Sequence, residues 1–120
     1  MGTFAVVSDT TTLAATTFAA LGEPTRLRIV ELLRDGSLTV GAIADRLGVR
    51  QPQVSKHLRV LGDAQIVAVE PRHRHRIYRL RQEPFEAVAA WTESFDELWH
   101  TRLDSLGAFL QTLPPERTTE

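Results

Sequence analysis

Two short amphipathic segments separated by a tight break constrain this chain more than any other feature of its 120 residues. Val40, Ile43, Ala44 and Leu47 stand at i, i+3, i+4 and i+7, and Val54, His57, Leu58 and Leu61 repeat that spacing. On a helix each set shares one face. Thr39 has the chemistry to cap the first segment and Gly48 to end it. Only Val49 and Arg50 intervene before Gln51-Pro52 opens the second. Two short amphipathic helices joined by a glycine-containing turn form a helix-turn-helix.

The flanking pattern extends this unit. Asp9 is suited to cap a helix with Leu13, Ala14, Phe18 and Leu21 at helical spacing, ended by Gly22. Pro24 then occupies a favourable first-turn position of a second helix, with Leu27, Ile29, Val30, Leu32 and Leu33 as its broad apolar face and Asp35-Gly36 as its stop. After Gly62 the pattern changes. Residues 66–70 and 76–80 are rich in β-branched and aromatic side chains and short enough for strands, with 71–75 as a hairpin tip, a wing. From Pro84 a helical stripe runs through Phe85, Val88, Trp91, Phe95, Trp99, Leu103, Leu106 and Leu110 to about Leu113, before Pro114-Pro115. The expected fold is therefore mainly α with a small two-stranded β-hairpin wing: four helices, the hairpin, then a fifth helix. One domain over 10–113 is expected between a flexible N-terminus, 1–9, and a flexible tail, 114–120.

Composition removes several function classes. There is no cysteine, which excludes disulfides, thiolate zinc sites, iron–sulfur clusters and a cysteine nucleophile, and fits a reducing cytoplasm. No apolar run approaches the roughly 18 residues of a membrane span, and residues 1–12 lack the basic and apolar stretches of a signal peptide. The net charge is only −1, but it is unevenly spread. Between Arg50 and Arg81 eight Lys or Arg face two acids, Asp63 and Glu70, so that segment carries +6 and the remainder −7. A local basic field attracts phosphate whatever the total.

The second helix of the pair presents groups suited to the major groove, where each base pair displays a distinct donor and acceptor pattern. Gln51 and Gln53 are able to pair with adenine, Ser55 to donate to a base or backbone oxygen, and Lys56 to reach guanine or phosphate. The N-terminal part of a recognition helix usually meets base edges, which favours Gln51, Gln53 and Ser55 for readout and Arg59 for phosphate, with Arg50 suited to either. In the wing, Arg72, Arg74 and Arg76 repel one another unless something anionic lies opposite, and minor-groove edges and phosphates qualify; Arg72 and Arg74 are favoured for this contact over Arg76, which borders the strand. His57, on the inner stripe, is expected to hydrogen-bond a neighbouring backbone group or a phosphate rather than bind a metal.

These residues also carry a family resemblance. The run 20–29, Ala-Leu-Gly-Glu-Pro-Thr-Arg-Leu-Arg-Ile, and the run 53–61, Gln-Val-Ser-Lys-His-Leu-Arg-Val-Leu, followed by a wing ending Ile77-Tyr78-Arg79-Leu80, resemble ArsR/SmtB-family repressors. The similarity extends from about Leu13 to Leu110. It implies a winged-helix homodimer held by its first and last helices, binding a pseudo-palindromic double-stranded DNA operator and usually repressing transcription, with repression of its own gene as an open option. The last helix looks like the SdpR-like branch, which has no known metal site. Thr39 and Gly41 stand where metal-sensing members place cysteines, and neither supplies a thiolate. Asp96, His100 and Asp104 share a helix face but lack the second histidine of the family's other metal site. Gln65 stands where the family commonly has glycine.

The apolar residues Leu13, Phe18, Phe95, Trp99, Leu103, Leu106 and Leu110 exceed what a small domain covers by itself, so they are expected to form a symmetric dimer interface. No catalytic constellation and no phosphate-binding loop appear, so no enzyme, cofactor or metal site is expected. Two alternatives stay open: a repressor released from DNA by a metal or small-molecule effector, its identity unknown, and a winged helix that binds protein.

Overall fold

The computed structural model describes residues 9–114. The expected flexible termini fall outside these residues, apart from Asp9, which is already helical, and Pro114. Six helices and three short strands follow in order: α1 (Asp9–Leu21), α2 (Pro24–Leu33), β1 (Leu38–Thr39), α3 (Val40–Leu47), α4 (Gln51–Asp63), β2 (Val67–Arg72), β3 (His75–Leu80), α5 (Gln82–Glu93) and α6 (Asp96–Thr112).

Local chemistry explains where the central helices start and stop. The Thr39 hydroxyl accepts from the Ala42 N–H at 3.1 Å and caps α3. Gly48 ends it in the left-handed region, φ 67°, a conformation that costs glycine little. Pro52 falls in the first turn of α4, where a missing N–H removes no helix hydrogen bond. At the other end of α4 the Ile66 N–H bonds to the Leu61 carbonyl at 2.9 Å and the Gln65 N–H to Gly62 at 3.0 Å. That pair is a Schellman closure, and it places Gln65 at φ 65°. The position that commonly holds glycine therefore does need a left-handed residue, and here Gln65 fills it.

The core gathers the inner faces of these helices. Ile29, Ile43, Val54, Leu58, Leu61 and Ile66 are all at most 1% exposed and form one cluster with Val30, Leu33 and Val67. Burying each large side chain is worth about 1.5–3 kcal/mol relative to leaving it exposed. Both four-residue stripes point inward: Val40 and Leu47 pack partly buried around Ile43 and Ala44, and His57 is the one polar member of the α4 stripe. α1 lies outside this cluster for most of its length and packs on α5.

Three features depart from the sequence expectation. First, the sheet has three strands in the order β1-β3-β2, because Leu38 and Thr39 pair with Tyr78 and Ile77. A two-residue strand is too short to produce an alternating pattern. Second, the hairpin tip is tighter. Arg72 pairs with His75, leaving only His73 and Arg74 in the turn, and His73 takes φ 58°. Pro71 sits in β2, opposite Arg76. Third, the single long C-terminal helix is broken into α5 and α6. The hydroxyls of Thr92 and Ser94 bond back to the carbonyls of Val88 and Trp91, at 2.9 and 2.5 Å, and the Phe95 N–H bonds to Thr92 at 3.1 Å, three residues back. Such back-bonding bends helices.

Beyond that break α6 has no buried residue. The Cα radius of gyration is 21.8 Å, against about 14 Å for a closed globule of this length. The helix thus projects from the winged core with its apolar stripe uncovered within the single chain.

Candidate nucleic-acid interface

α4 presents Gln51, Gln53, Ser55, Lys56 and Arg59 to solvent while Val54, Leu58 and Leu61 anchor it from behind. The 100° turn per residue spreads the exposed groups over a wide arc. Gln51 and Gln53 consequently lie on opposite flanks of it, with Arg59 and Lys56 between them.

The wing divides these groups further. In a strand, alternate residues point to opposite faces and paired residues share one. Val67, Val69, Arg76 and Tyr78 turn toward α4 and, with Ser55, Leu58, Arg59 and Val40, line a cleft of about 430 Å³. A second hollow of about 450 Å³ brings Gln51 together with Arg74, His75 and Arg76 over the start of α3 at Thr39 and Gly41. Arg72 belongs to the other face. It lines a smaller hollow with Ser37, Glu70, Ile77 and Arg79, and its guanidinium lies 3.4 Å from Glu70. The structure thus joins Gln51, Ser55 and Arg59 with Arg74 and Arg76. Gln53 and Lys56 stay exposed on α4 outside both hollows, and Arg50 is exposed at its N-cap. The adjacency of Arg76 to the recognition helix was not legible in sequence, because it depends on the hairpin register.

Few of these cations are neutralised. Among the described residues, Arg50, Lys56, Arg59, Arg74 and Arg76 have no ion pair. Arg81 is different. Its guanidinium bonds to Gln65 and lies 3.4 Å from Glu83, and its N–H closes onto the Ile66 carbonyl at 2.8 Å. It fastens the base of the wing to the end of α4. The Glu83 carboxyl is held below its ordinary value, first by its own backbone N–H at the start of α5 and then by Arg81.

His57 finds a partner that no sequence pattern names. Its Nδ1 lies 3.5 Å from Oε2 of Glu23. That carboxylate also caps α2, accepting from the N–H groups of Thr25 and Arg26 at 3.1 and 3.0 Å. The Thr25 N–H is the first cause of a Glu23 pKa below the ordinary value, and the nearby His57 and Arg26 add to it.

Of the residues assigned to an interface between copies, Leu13 is half-buried, while Phe18, Phe95, Trp99, Leu103, Leu106 and Leu110 are exposed. Phe18, Trp91 and Phe95 stack edge to face, with centroids 5.4 and 4.8 Å apart, so the apolar surface of α1 runs without a break through the α5–α6 bend. On α6, Nδ1 of His100 lies 2.8 Å from the Asp96 carbonyl, and among the described residues no three His, Asp or Glu side chains gather as a metal site. No described helix is long and apolar enough to cross a membrane.

Comparison with known proteins agrees with this layout. The profile of a family described as a helix-turn-helix domain matches residues 21–70. The transcriptional repressor SdpR of Bacillus subtilis is 30% identical over 78 residues, covering 65% of this chain and 87% of SdpR. The HTH-type transcriptional regulator Rv2034 of Mycobacterium tuberculosis is 41% identical over 80 residues, covering 67% of this chain and 72% of Rv2034. Among solved structures, the homodimeric winged helix-turn-helix DNA-binding domain Mb0332 of Mycobacterium bovis, a possible ArsR-family regulator, superposes with a TM-score of 0.59. It is 26% identical, over 72% of this chain and 81% of that one.

Proposed function

The chain belongs to the ArsR/SmtB family of winged helix-turn-helix transcription repressors, and from that premise we propose that two copies bind one double-stranded operator and block transcription from it. The observation that carries this reading is the meeting of α4 and the wing, where Arg59, Arg74 and Arg76, without an ion pair among the described residues, line the hollows that hold Gln51 and Ser55. Gln51 and Ser55 read base edges, with Gln53 at the flank of the same groove. Arg50, Lys56, Arg59, Arg74 and Arg76 hold phosphates or the minor-groove edge. Arg72, on the outer wing face, contributes least of the three wing arginines.

The uncovered stripe of α6, continued by Phe18, Trp91 and Phe95, pairs with the same stripe of a second copy; that the similar domain Mb0332 is homodimeric supports a dimer. Residues 10–113 act as one DNA-binding and dimerisation unit. A two-fold pair sets the recognition helices about 34–36 Å apart, one helical turn of DNA. Repression is by exclusion of polymerase, in the cytoplasm, with no reaction catalysed.

Selection of duplexes from random-sequence DNA by the purified protein tests this. Enrichment of an inverted repeat with half-site centres about 10 base pairs apart is expected. Enrichment of an unrepeated motif, or none, would overturn it.

A further inference from the structure

We propose that His57 is a positioning residue for DNA readout: pinned against the Glu23 carboxylate, it fixes the rotation of α4 and so the place where Gln51, Ser55 and Arg59 meet DNA. This rests on the DNA-binding reading above and assigns that surface its internal support.

Val54, Leu58 and Leu61 hold α4 by apolar burial, which is strong but non-directional. It resists separation of α4 from the core better than small rotation of α4 about its own axis. On a helix about 5–6 Å in radius, a rotation of about 10° moves a side-chain tip by about 1 Å. That is enough to spoil a hydrogen bond to a base edge. A polar contact on the inner face restrains this rotation, and His57 supplies one between Val54 and Leu58, with Nδ1 3.5 Å from Glu23 Oε2. An aliphatic residue would suit the stripe better for burial alone, since a half-buried imidazole needs a polar partner.

The partner is itself firmly placed. Both Glu23 oxygens accept backbone N–H groups at the start of α2. The neighbouring Arg26 donates Nε–H to the Ala20 carbonyl at 2.6 Å, tying the same corner to the end of α1. His57 therefore joins the recognition helix to a corner shared by α1 and α2, and α1 carries part of the apolar surface assigned to the dimer.

This support responds to protonation. Glu23 is the anion facing His57, and Arg26 is turned to Ala20. The other charged groups on the elements packed against α4 are solvent-exposed: Arg28 and Glu31 of α2, Asp45 and Arg46 of α3, Glu70 and Arg72 of β2, as are Lys56, Arg59 and Asp63 on α4 itself. The protonated imidazole pairs with Glu23 as a cation, whereas the neutral ring makes only a weaker contact with it. Sequence discrimination should therefore sharpen on acidification.

The test measures affinity for a duplex selected from random DNA and for its scrambled counterpart, between about pH 5.5 and 8. It compares the full chain with the H57Q, E23Q and doubly substituted variants. The wild-type ratio of the two affinities should rise about three- to fivefold on acidification, the scale of a partly screened ion pair. In each variant the ratio should be lower and independent of pH, and the double variant should be no worse than either single one. Ratios equal to wild type at every pH would overturn the proposal. So would a parallel loss of both affinities together with the unfolding midpoint, the mark of a merely structural contact. If the wild type itself fails to prefer the selected duplex, the DNA-binding reading falls, and this inference with it.

Discussion

Replacing Arg74 and Arg76 together by alanine should change the salt dependence of DNA binding by an amount that follows from the structure. Both side chains are exposed, unpaired among the described residues and directed to the hollows that α4 shares with the wing. Removing one arginine from one phosphate lowers the slope of log K against log salt by about 0.9 on duplex DNA. Two arginines in each of two wings give a decrease of about 3.6. Between 50 and 200 mM salt the wild type should then lose about a hundredfold more affinity than the variant. Fold stability should stay within about 0.5 kcal/mol, because neither side chain is buried. Arg72→Ala should lower the slope less, since Arg72 lies on the outer wing face beside Glu70. Fluorescence anisotropy at four or five salt concentrations measures all three proteins. A double-variant slope within one unit of wild type, or an Arg72 effect larger than that of the pair, would refute the assignment of the wing faces.

Three further outcomes follow from other parts of the molecule. Trp99→Ala removes a side chain 55% exposed on the α6 stripe, and sedimentation equilibrium should show dimerisation weakened by at least about 2 kcal/mol, roughly thirtyfold, as for a central aromatic anchor; an unchanged constant would remove Trp99 from the interface. Gln65→Gly relieves a left-handed backbone that costs a side chain about 1 kcal/mol and gives up an exposed bond to Arg81, so thermal unfolding should show a small net gain. A lower midpoint would mean the Arg81 tie outweighs the strain. The Glu23 pKa is depressed in the folded state, so its stabilising contribution is complete above the ordinary value of 4.5 and is lost as pH falls through the lower folded value. Glu23→Gln should therefore make stability less pH-dependent across that acidic window, and an unaltered acid limb in urea titrations would contradict this.

The helix-turn-helix was legible because its signals are local and agree with one another. Helical spacing, a capping threonine and a left-handed glycine all lie within 25 residues, 39–63. The wing was legible as a hairpin, but its faces were not. Whether Arg72 or Arg76 meets the recognition helix depends on the pairing of Arg72 with His75, and a one-residue slip in register reverses the answer. β1 escaped notice because Leu38 and Thr39 owe their strand pairing to β3, some forty residues away. The α5–α6 break lay hidden in an unbroken apolar stripe, since it is caused by the Thr92 and Ser94 hydroxyls rather than by glycine or proline. The Glu23–His57 contact joins two recognisable motifs that no periodicity relates.

Titrating the selected operator duplex with protein, at concentrations well above the dissociation constant, counts the chains on the DNA. Saturation should break at two chains per duplex, and a duplex carrying a single half-site should bind at least about a hundredfold more weakly. Saturation at one chain per duplex, with equal affinity for the half-site, would contradict the pairing of two recognition helices through α6 and leave the apolar stripe without its proposed occupant.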